Sequence, residues 1–540
     1  MYTIQERTFH SLITTPDKEC RRAGRPQRIH MSKLFLAAVI TPIMAFLFSV
    51  TAQERPNSPV FKKYRTSEPT TVIKTSDLTY QLWEGFMLMK NANAGDAASQ
   101  HELALRYFLG RGFPADTVRA AFWLKKAAAQ DFMLARYNLG IFLYNGYGLE
   151  WNPFLAFFEF RAAAESGMPD GQYVFGLMFT DNLVVHQDYA QAQQWIQRAA
   201  DGGYEPAKEL LEELKRKGLF VERPVASSQP SANPARSSLP VEPVLLDFSV
   251  DSSKHIDDQT LLQDLFGNGN EEVKKLLGIS KLLIDSTASD TALFQSLLHA
   301  ADIGSPEAMT VIGRCYERGI GVQADPIAAA EQYLRALGLG SRHAYPLMRE
   351  LLQSQKFAVL LDSRMKRKDP VTEFVYASLA ALHFDNQIPE HEAFRLLEDA
   401  ASKNHLSSLV ELGACYNTGR WTTMNKKRAY EFWHYAEIHG SVEAHLRLAS
   451  ARIVADTAFQ QSDLDTLLSA AQDGSMLAQL TLAYCYEQGL HVPHDPAHAV
   501  RLYRQCARRG SDGAYLALKR MHDILRPSDK EFSTEPRDKR

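Results

Sequence analysis

The sequence predicts an all-α protein built as an α/α solenoid, a row of stacked helical hairpins divided into two arrays. Three observations lead to that fold class. First, an alanine recurs eleven residues before a helix-ending position: Ala120, Ala156, Ala192, Ala329, Ala393, Ala429 and Ala499 precede Asp131, Gly167, Gly203, Gly340, Asn404, Gly440 and Gly510. Second, neighbouring terminal positions lie 36 residues apart, as from Asp131 to Gly167, Gly167 to Gly203, Asn404 to Gly440 and Gly474 to Gly510. Third, Asp116, Asn152, Asp188, Asp325, Asn425 and Asp495 stand fifteen residues before their terminal positions. Their side-chain oxygens suit the free amides of a helix's first turn. A period of this length in fixed register means units that bury their apolar faces by stacking on one another.

Within each unit the first helix carries a small residue followed three positions later by an aromatic: Ala104 and Tyr107, Gly176 and Phe179, Gly313 and Tyr316, Gly413 and Tyr416, Ala483 and Tyr486. After Gly140 the aromatic slips by one, to Tyr144. Glycine inside a helix costs about 1 kcal/mol against alanine, so close approach of the paired helix must require it. Glycine-rich turns such as Gly110-Arg111-Gly112 and Gly319-Ile320-Gly321 supply left-handed backbone where the first helix ends. The second helix begins at the cap residue, and Pro153, Pro326 and Pro496 occupy its first position, where a missing N–H has no partner to lose.

Along the chain the pattern assigns residues 1–30 to an extension, 31–52 to a signal peptide, 76–220 to an N-terminal array and 221–258 to a linker. It assigns 259–525 to a C-terminal array and 526–540 to a disordered charged tail. The apolar stretch from Leu34 to Val50 follows Lys33 and leads into Val50-Thr51-Ala52, a site for cleavage before Gln53. Met31 makes a natural start for such a signal. Left uncleaved, the stretch would be a membrane anchor, the only membrane attachment the sequence offers. The linker carries Pro224, Pro230, Pro234, Pro240 and Pro243 among serines, an extended, solvated composition with which the two arrays could move relative to one another. Helices at Ala207–Lys217 and Ala514–Leu525 suit caps over the last apolar face of each array. The pattern weakens between Gly340 and Asn404, where a spacing of 64 fits one full unit and a shortened one of about 28 around Leu347 to Met365. It weakens again before Gly304 and in the unit ending at Gly474, where the ladder alanine is replaced by Asp463.

These residues resemble the Sel1-like repeat, a branch of the tetratricopeptide-type solenoids. The first half of the family pattern is clearest in Ile312-Gly313-Arg314-Cys315-Tyr316-Glu317-Arg318-Gly319-Ile320-Gly321-Val322. The second half is clearest in Ala120-Ala121-Phe122-Trp123-Leu124-Lys125-Lys126-Ala127-Ala128 and in Ala192-Gln193-Gln194-Trp195-Ile196-Gln197-Arg198-Ala199-Ala200. The resemblance implies a right-handed superhelix and a non-enzymatic scaffold that holds a protein or peptide on the concave surface formed mainly by first helices. With the export signal, that scaffold is expected to be periplasmic or secreted. Cysteine-rich relatives suggest an alternative, a peptidoglycan or β-lactam binding or hydrolysing protein, and regulation of an envelope enzyme is a third.

The net charge of −3 and the lack of a broad basic face argue against a nucleic-acid partner. No cofactor, metal or catalytic residue is assigned. Ser363-Arg364-Met365-Lys366 has the Ser-x-x-Lys spacing but lacks accompanying Lys-Thr-Gly and Ser-Asp-Asn segments. His491, His494, Asp495 and His498 crowd one turn in which Asp495 is already explained as a cap. Cys315, Cys415 and Cys485 share one position in separate units, and with Cys506 they read as small buried residues without a disulfide. The stretch from Trp151 to Phe160 holds more aromatics than one buried stripe accommodates. Phe154, Phe157 and Phe158 read as core, which leaves Phe160 and Trp151 as candidate partner-binding residues.

Overall fold

The computed structural model describes residues 78–216, 290–384, 388–455 and 459–534. The extension, the signal segment, the linker, residues 76–77, 217–220 and 259–289 of the assigned arrays, and residues 535–540 lie outside the described residues. In the N-terminal array, α1 (Leu78–Asn93) precedes the hairpins α2/α3 (Ala97–Leu109, Thr117–Ala128), α4/α5 (Met133–Asn145, Pro153–Glu165) and α6/α7 (Pro169–Leu177, Tyr189–Asp201), and α8 (Glu205–Arg216) follows. In the C-terminal array, α9 (Asp290–Asp302) leads into α10/α11 (Pro306–Arg318, Pro326–Gly338), α12/α13 (Ala344–Gln353, Gln355–Lys366) and α14/α15 (Pro370–Ala381, Glu390–Ser402). These continue as α16/α17 (Leu406–Thr418, Lys426–Ile438), α18/α19 (Val442–Ala455, Gln461–Gln472), α20/α21 (Met476–Gln488, Pro496–Arg508), α22 (Asp512–Leu525) and a 3-10 turn at Lys530–Phe532. The described residues are therefore all-helical.

The repeat register holds at each level. All seven ladder alanines have no solvent exposure. All seven terminal positions have positive φ, from 56° at Asp131 and 61° at Asn404 to 98° at Gly510, the left-handed turn that ends a helix with least strain at glycine or asparagine. Each of the six cap residues accepts from first-turn amides of its second helix, Asp325 from Ile327 and Ala328 and Asn152 from Phe154 and Leu155. The cap's own amide reaches back to the first helix, as in Asp325 N to Tyr316 O at 2.8 Å and Asp495 N to Tyr486 O at 2.9 Å.

The small residues of the first helices have a common packing cause. The side chain four residues after the ladder alanine lies over them: Phe160 over Gly140, Ile196 over Gly176, Tyr333 over Gly313 and Trp433 over Gly413. The irregular units also have local explanations. Lys368, with φ of 56°, is the terminal position that ends the shortened pair α12/α13. Asp463, at the ladder position of α19, is buried because Arg452 of α18 binds its carboxylate through both Nε and Nη2.

The superhelix is tight enough for its first and last C-terminal units to touch. Met476 N donates to Gly304 O at 3.2 Å, and the turns at Gly340 and Gly510 abut. Between them lies a buried ion pair, Arg509 Nη2 to Glu307 Oε2 at 2.7 Å, with a second from Arg342 Nη2 to Asp512 Oδ1 at 2.6 Å. As a result residues 306–315 of α10 and 476–485 of α20 are buried throughout. The concave surface expected to hold a partner is closed along these two first helices.

The N-terminal array docks on the far end of the C-terminal one. Arg501 Nη1 donates to Asn145 O at 2.8 Å, and Arg526 donates to the carbonyls of Leu183 and Val184 at 2.6 and 2.9 Å. Ala497 packs on Gly146, and α22 lies between the arrays. Two expectations are thereby corrected. The linker composition allowed the arrays to move relative to one another, but α21 and α22 share one continuous apolar core with the N-terminal hairpins. The tail expected to be disordered from residue 526 is ordered to Thr534, because Phe532, its lone aromatic, is fully buried against α5.

Candidate functional site

The two side chains that the sequence offered as partner contacts are both interior. Phe160 is 1% exposed because it holds the position, four after the ladder alanine, that covers the small residue of the first helix. The same offset at Tyr333, Trp433 and Tyr503 carried that signal in the sequence. Trp151 is 4% exposed, its ring edge-on to His522 of α22 at 4.9 Å. Its place in the array junction depends on a contact across 371 residues (Trp151 to His522), which local pattern does not reveal. Phe154 and Phe157 are core as expected, whereas Phe158 is 37% exposed.

The other candidate groups also have structural partners. Ser363 Oγ donates to Leu360 O at 3.0 Å, and Lys366 Nζ donates to Asp362 at 2.6 Å, a bond that raises the lysine's pKa and holds it charged. A charged, acid-paired lysine is not a base for its serine neighbour. Three of the four residues in this turn face different neighbours: His491 stacks on Phe459 at 3.6 Å, His498 lies tilted on Tyr486 at 4.1 Å, and Asp495 caps α21. Among the described residues no group of three or more His, Cys, Asp or Glu side chains forms a metal site. Cys315, Cys415, Cys485 and Cys506 are buried thiols, and burial pushes the Cys485 and Cys506 thiols up to about 12.

The array junction holds several perturbed polar groups. Asp181, on the turn after α6, is raised to about 7 by burial, with the Leu183 amide donating to its Oδ1 at 3.1 Å. Arg504 of α21 lies over the Tyr144 ring at 4.2 Å and donates to Asn145 Oδ1 at 3.3 Å, and burial lowers its pKa. His522 donates from Nδ1 to Leu518 O at 2.6 Å, and burial drives its pKa down to about 3. These groups are buried between helices and serve the docking of the arrays.

What remains open is the outer face of the second helices. On α3 and α5, Val118 is 65% exposed and Phe122 and Leu155 are each 51% exposed, with Phe158 beside them. Phe122 and Phe158 each lie two residues after a ladder alanine, at the same register position of successive units. Lys126 Nζ sits 4.7 Å from the Phe122 centroid, and Arg161 lies over Phe158 at 5.0 Å. The result is an apolar strip edged with positive charge. Sequence reading passed over Phe122, although its place opposite the buried Leu124 marks it as outward.

This geometry defines a helical-repeat protein. The profile of the Sel1 repeat family matches residues 97–132, 134–168, 176–204, 306–341, 406–441 and 477–511. The chain belongs to the Sel1 repeat family, whose members generally mediate protein–protein interactions on a fold that is typically a non-catalytic scaffold. A Sel1 repeat protein of Oxalobacter formigenes with a solved structure is 32% identical, covering 24% of this chain and 99% of that one at a TM-score of 0.23. An uncharacterized protein of Neisseria meningitidis is 25% identical over 306 residues, 56% of this chain and 57% of the relative. A chitin synthase regulatory factor of Schizosaccharomyces pombe is 32% identical over 155 residues, 28% of this chain. The chain spans 57% and 16% of the lengths of these last two. Among the described residues no helix is long and apolar enough to cross a membrane.

Proposed function

We propose that this protein is an exported scaffold that holds a protein partner on the outer face of its N-terminal array. The observation that carries this reading is the set of Val118, Phe122, Leu155 and Phe158, large apolar side chains left in solvent on the second helices of two successive units. A rigid aromatic anchor at the centre of an apolar patch is the usual source of binding energy in a protein interface. Lys126 at its border favours an acidic partner, chiefly by steering its approach. The name of the Schizosaccharomyces relative supports a narrower form, in which the partner is an envelope enzyme regulated by direct contact.

The test is capture from cells with the wild-type chain and with Phe122→Glu, which places charge in the strip while leaving the core untouched. The proposal expects a specific protein retained by the wild type, lost by the variant and bound directly when both are purified. A partner held equally by both chains would refute the strip as the contact. Export is tested on its own by N-terminal sequencing of the mature protein, expected to begin at Gln53.

A further inference from the structure

The turn after α6 and the outer face of α5 form a second, smaller surface in which a segment of the chain itself is seated. The Phe532 ring meets three phenyl rings edge to face, Phe154 at 5.2 Å and Phe157 and Phe158 at 5.5 Å each. Such T-shaped pairs align the positive ring edge with a negative face and add specificity to apolar burial. One residue earlier, Glu531 accepts from Arg161 Nη1 at 2.5 Å, while the same guanidinium lies over Phe157 and Phe158 at 5.5 and 5.0 Å. Two residues later, the Thr534 carbonyl accepts from Asn182 Nδ2 at 3.3 Å and from His186 Nδ1 at 3.2 Å. Arg526 closes the seat, donating to the Val184 and Phe532 carbonyls at 2.9 and 2.7 Å.

These contacts recognise a short linear segment: one aromatic in a pocket, one acid on an arginine, and main-chain carbonyls on polar side chains. Between Pro527 and Thr534 Phe532 alone is buried, so the tail is held as a ligand is, by one anchor and its flanks. Phe158 belongs both to this pocket and to the exposed strip, which makes the two surfaces continuous.

We propose that this pocket is a peptide site for a partner segment in which an acidic residue directly precedes a phenylalanine, and that the tail at Glu531–Thr534 occupies it in the resting protein. This rests on the reading of the outer face as a protein-binding surface. A tethered segment competes at a roughly millimolar effective concentration. A partner must therefore outbid the tail, and its binding frees residues 527–534 from the array.

The test uses the full chain and a labelled peptide of Ser528–Thr534 in fluorescence anisotropy. Phe532→Ala in the protein empties the pocket, and Glu531→Lys, at a part-exposed position, loosens the tail without removing a buried ring. Both variants are expected to bind the peptide at least tenfold more tightly than the wild type. Adding Arg161→Glu to Phe532→Ala should cost at least tenfold, and a peptide carrying Glu531→Lys should recover much of that loss. Equal weak binding by all chains, or binding indifferent to Arg161→Glu, would show the tail to be a structural clasp only and overturn the proposal. A wild-type dimer that Arg161→Glu turns into a monomer would overturn it differently, by assigning the pocket to the tail of a second copy. A partner lost with Phe122→Glu alongside a peptide that never binds would sink this inference and leave the scaffold reading intact.

Discussion

Gly140→Ala tests the packing rule that places Phe160 inside the protein. A methyl carbon at position 140 would lie 2.7, 2.8 and 3.1 Å from the Cε1, Cδ1 and Cζ atoms of Phe160, where ordinary contact begins at 3.4 Å. Phe160 has little room to retreat, since it is 1% exposed and bordered by Tyr137 and Tyr144. Replacing a helical glycine by alanine gains about 1 kcal/mol of propensity, while overpacking a core costs about 1–3 kcal/mol. The net expectation is a loss of up to about 2 kcal/mol. Gly338→Ala, on α11 with nothing within 4 Å of the new carbon, is the control and should gain up to about 1 kcal/mol. In a Phe160→Leu background the smaller side chain relieves the clash, so Gly140→Ala should become neutral or stabilising, a coupling of at least about 1 kcal/mol. Urea midpoints followed by circular dichroism read all five chains, the wild type included. If Gly140→Ala stabilises as much as Gly338→Ala, or costs the same in both backgrounds, Phe160 does not cover Gly140 and the packing rule is wrong.

Other perturbations probe the remaining layers of the account. Arg509→Ala strands Glu307 as a buried carboxylate and should destabilise by roughly 3–5 kcal/mol, whereas Arg509→Met combined with Glu307→Leu should cost less; a thermal shift no larger for the single variant would contradict the pair's burial. Asp325→Ala removes the cap of α11 and should cost about 1 kcal/mol in the same urea assay. Asp181, raised from 3.8 to about 7, stays protonated in the folded chain after the unfolded chain has released its proton. Its contribution to stability therefore falls as pH rises from about 4 to 7, by up to about 4 kcal/mol. Asp181→Asn keeps the acceptor for the Leu183 amide, so it should be near neutral at pH ~4 and increasingly stabilising up to pH ~8. Comparing variant with wild type at each pH removes the opposite contributions of His101 and His522, whose depressed pKa values cost stability as pH falls below 6.5.

Features repeated within the chain were legible because each copy checks the others. Asp325 and Asp495 announce the starts of their helices through residue type and spacing, and Gly340 and Gly510 announce the ends. Even Lys368, an unusual residue for a left-handed turn, falls where the spacing of 28 and then 36 places it. Features that occur once were not legible. Nothing local couples Trp151 to His522, Arg509 to Glu307 or Phe532 to Phe157, since these contacts arise from superhelical curvature and from the docking of one array on the end of the other. Phe160 was legible and misread: its surplus of aromatic neighbours suggested exposure, while its offset from Ala156 matched that of Tyr333 from Ala329.

The central claim is that partners meet the outer second helices of the N-terminal array rather than the closed first helices of the C-terminal array, and site-specific photocrosslinking in living cells tests it most directly. A photoreactive residue is placed in turn at Val118 and Leu155 on the exposed strip and at Thr310 within the closed face of α10. The account predicts one specific protein adduct at Val118 and Leu155 and none at Thr310. An adduct at Thr310 with none at the other two would contradict it.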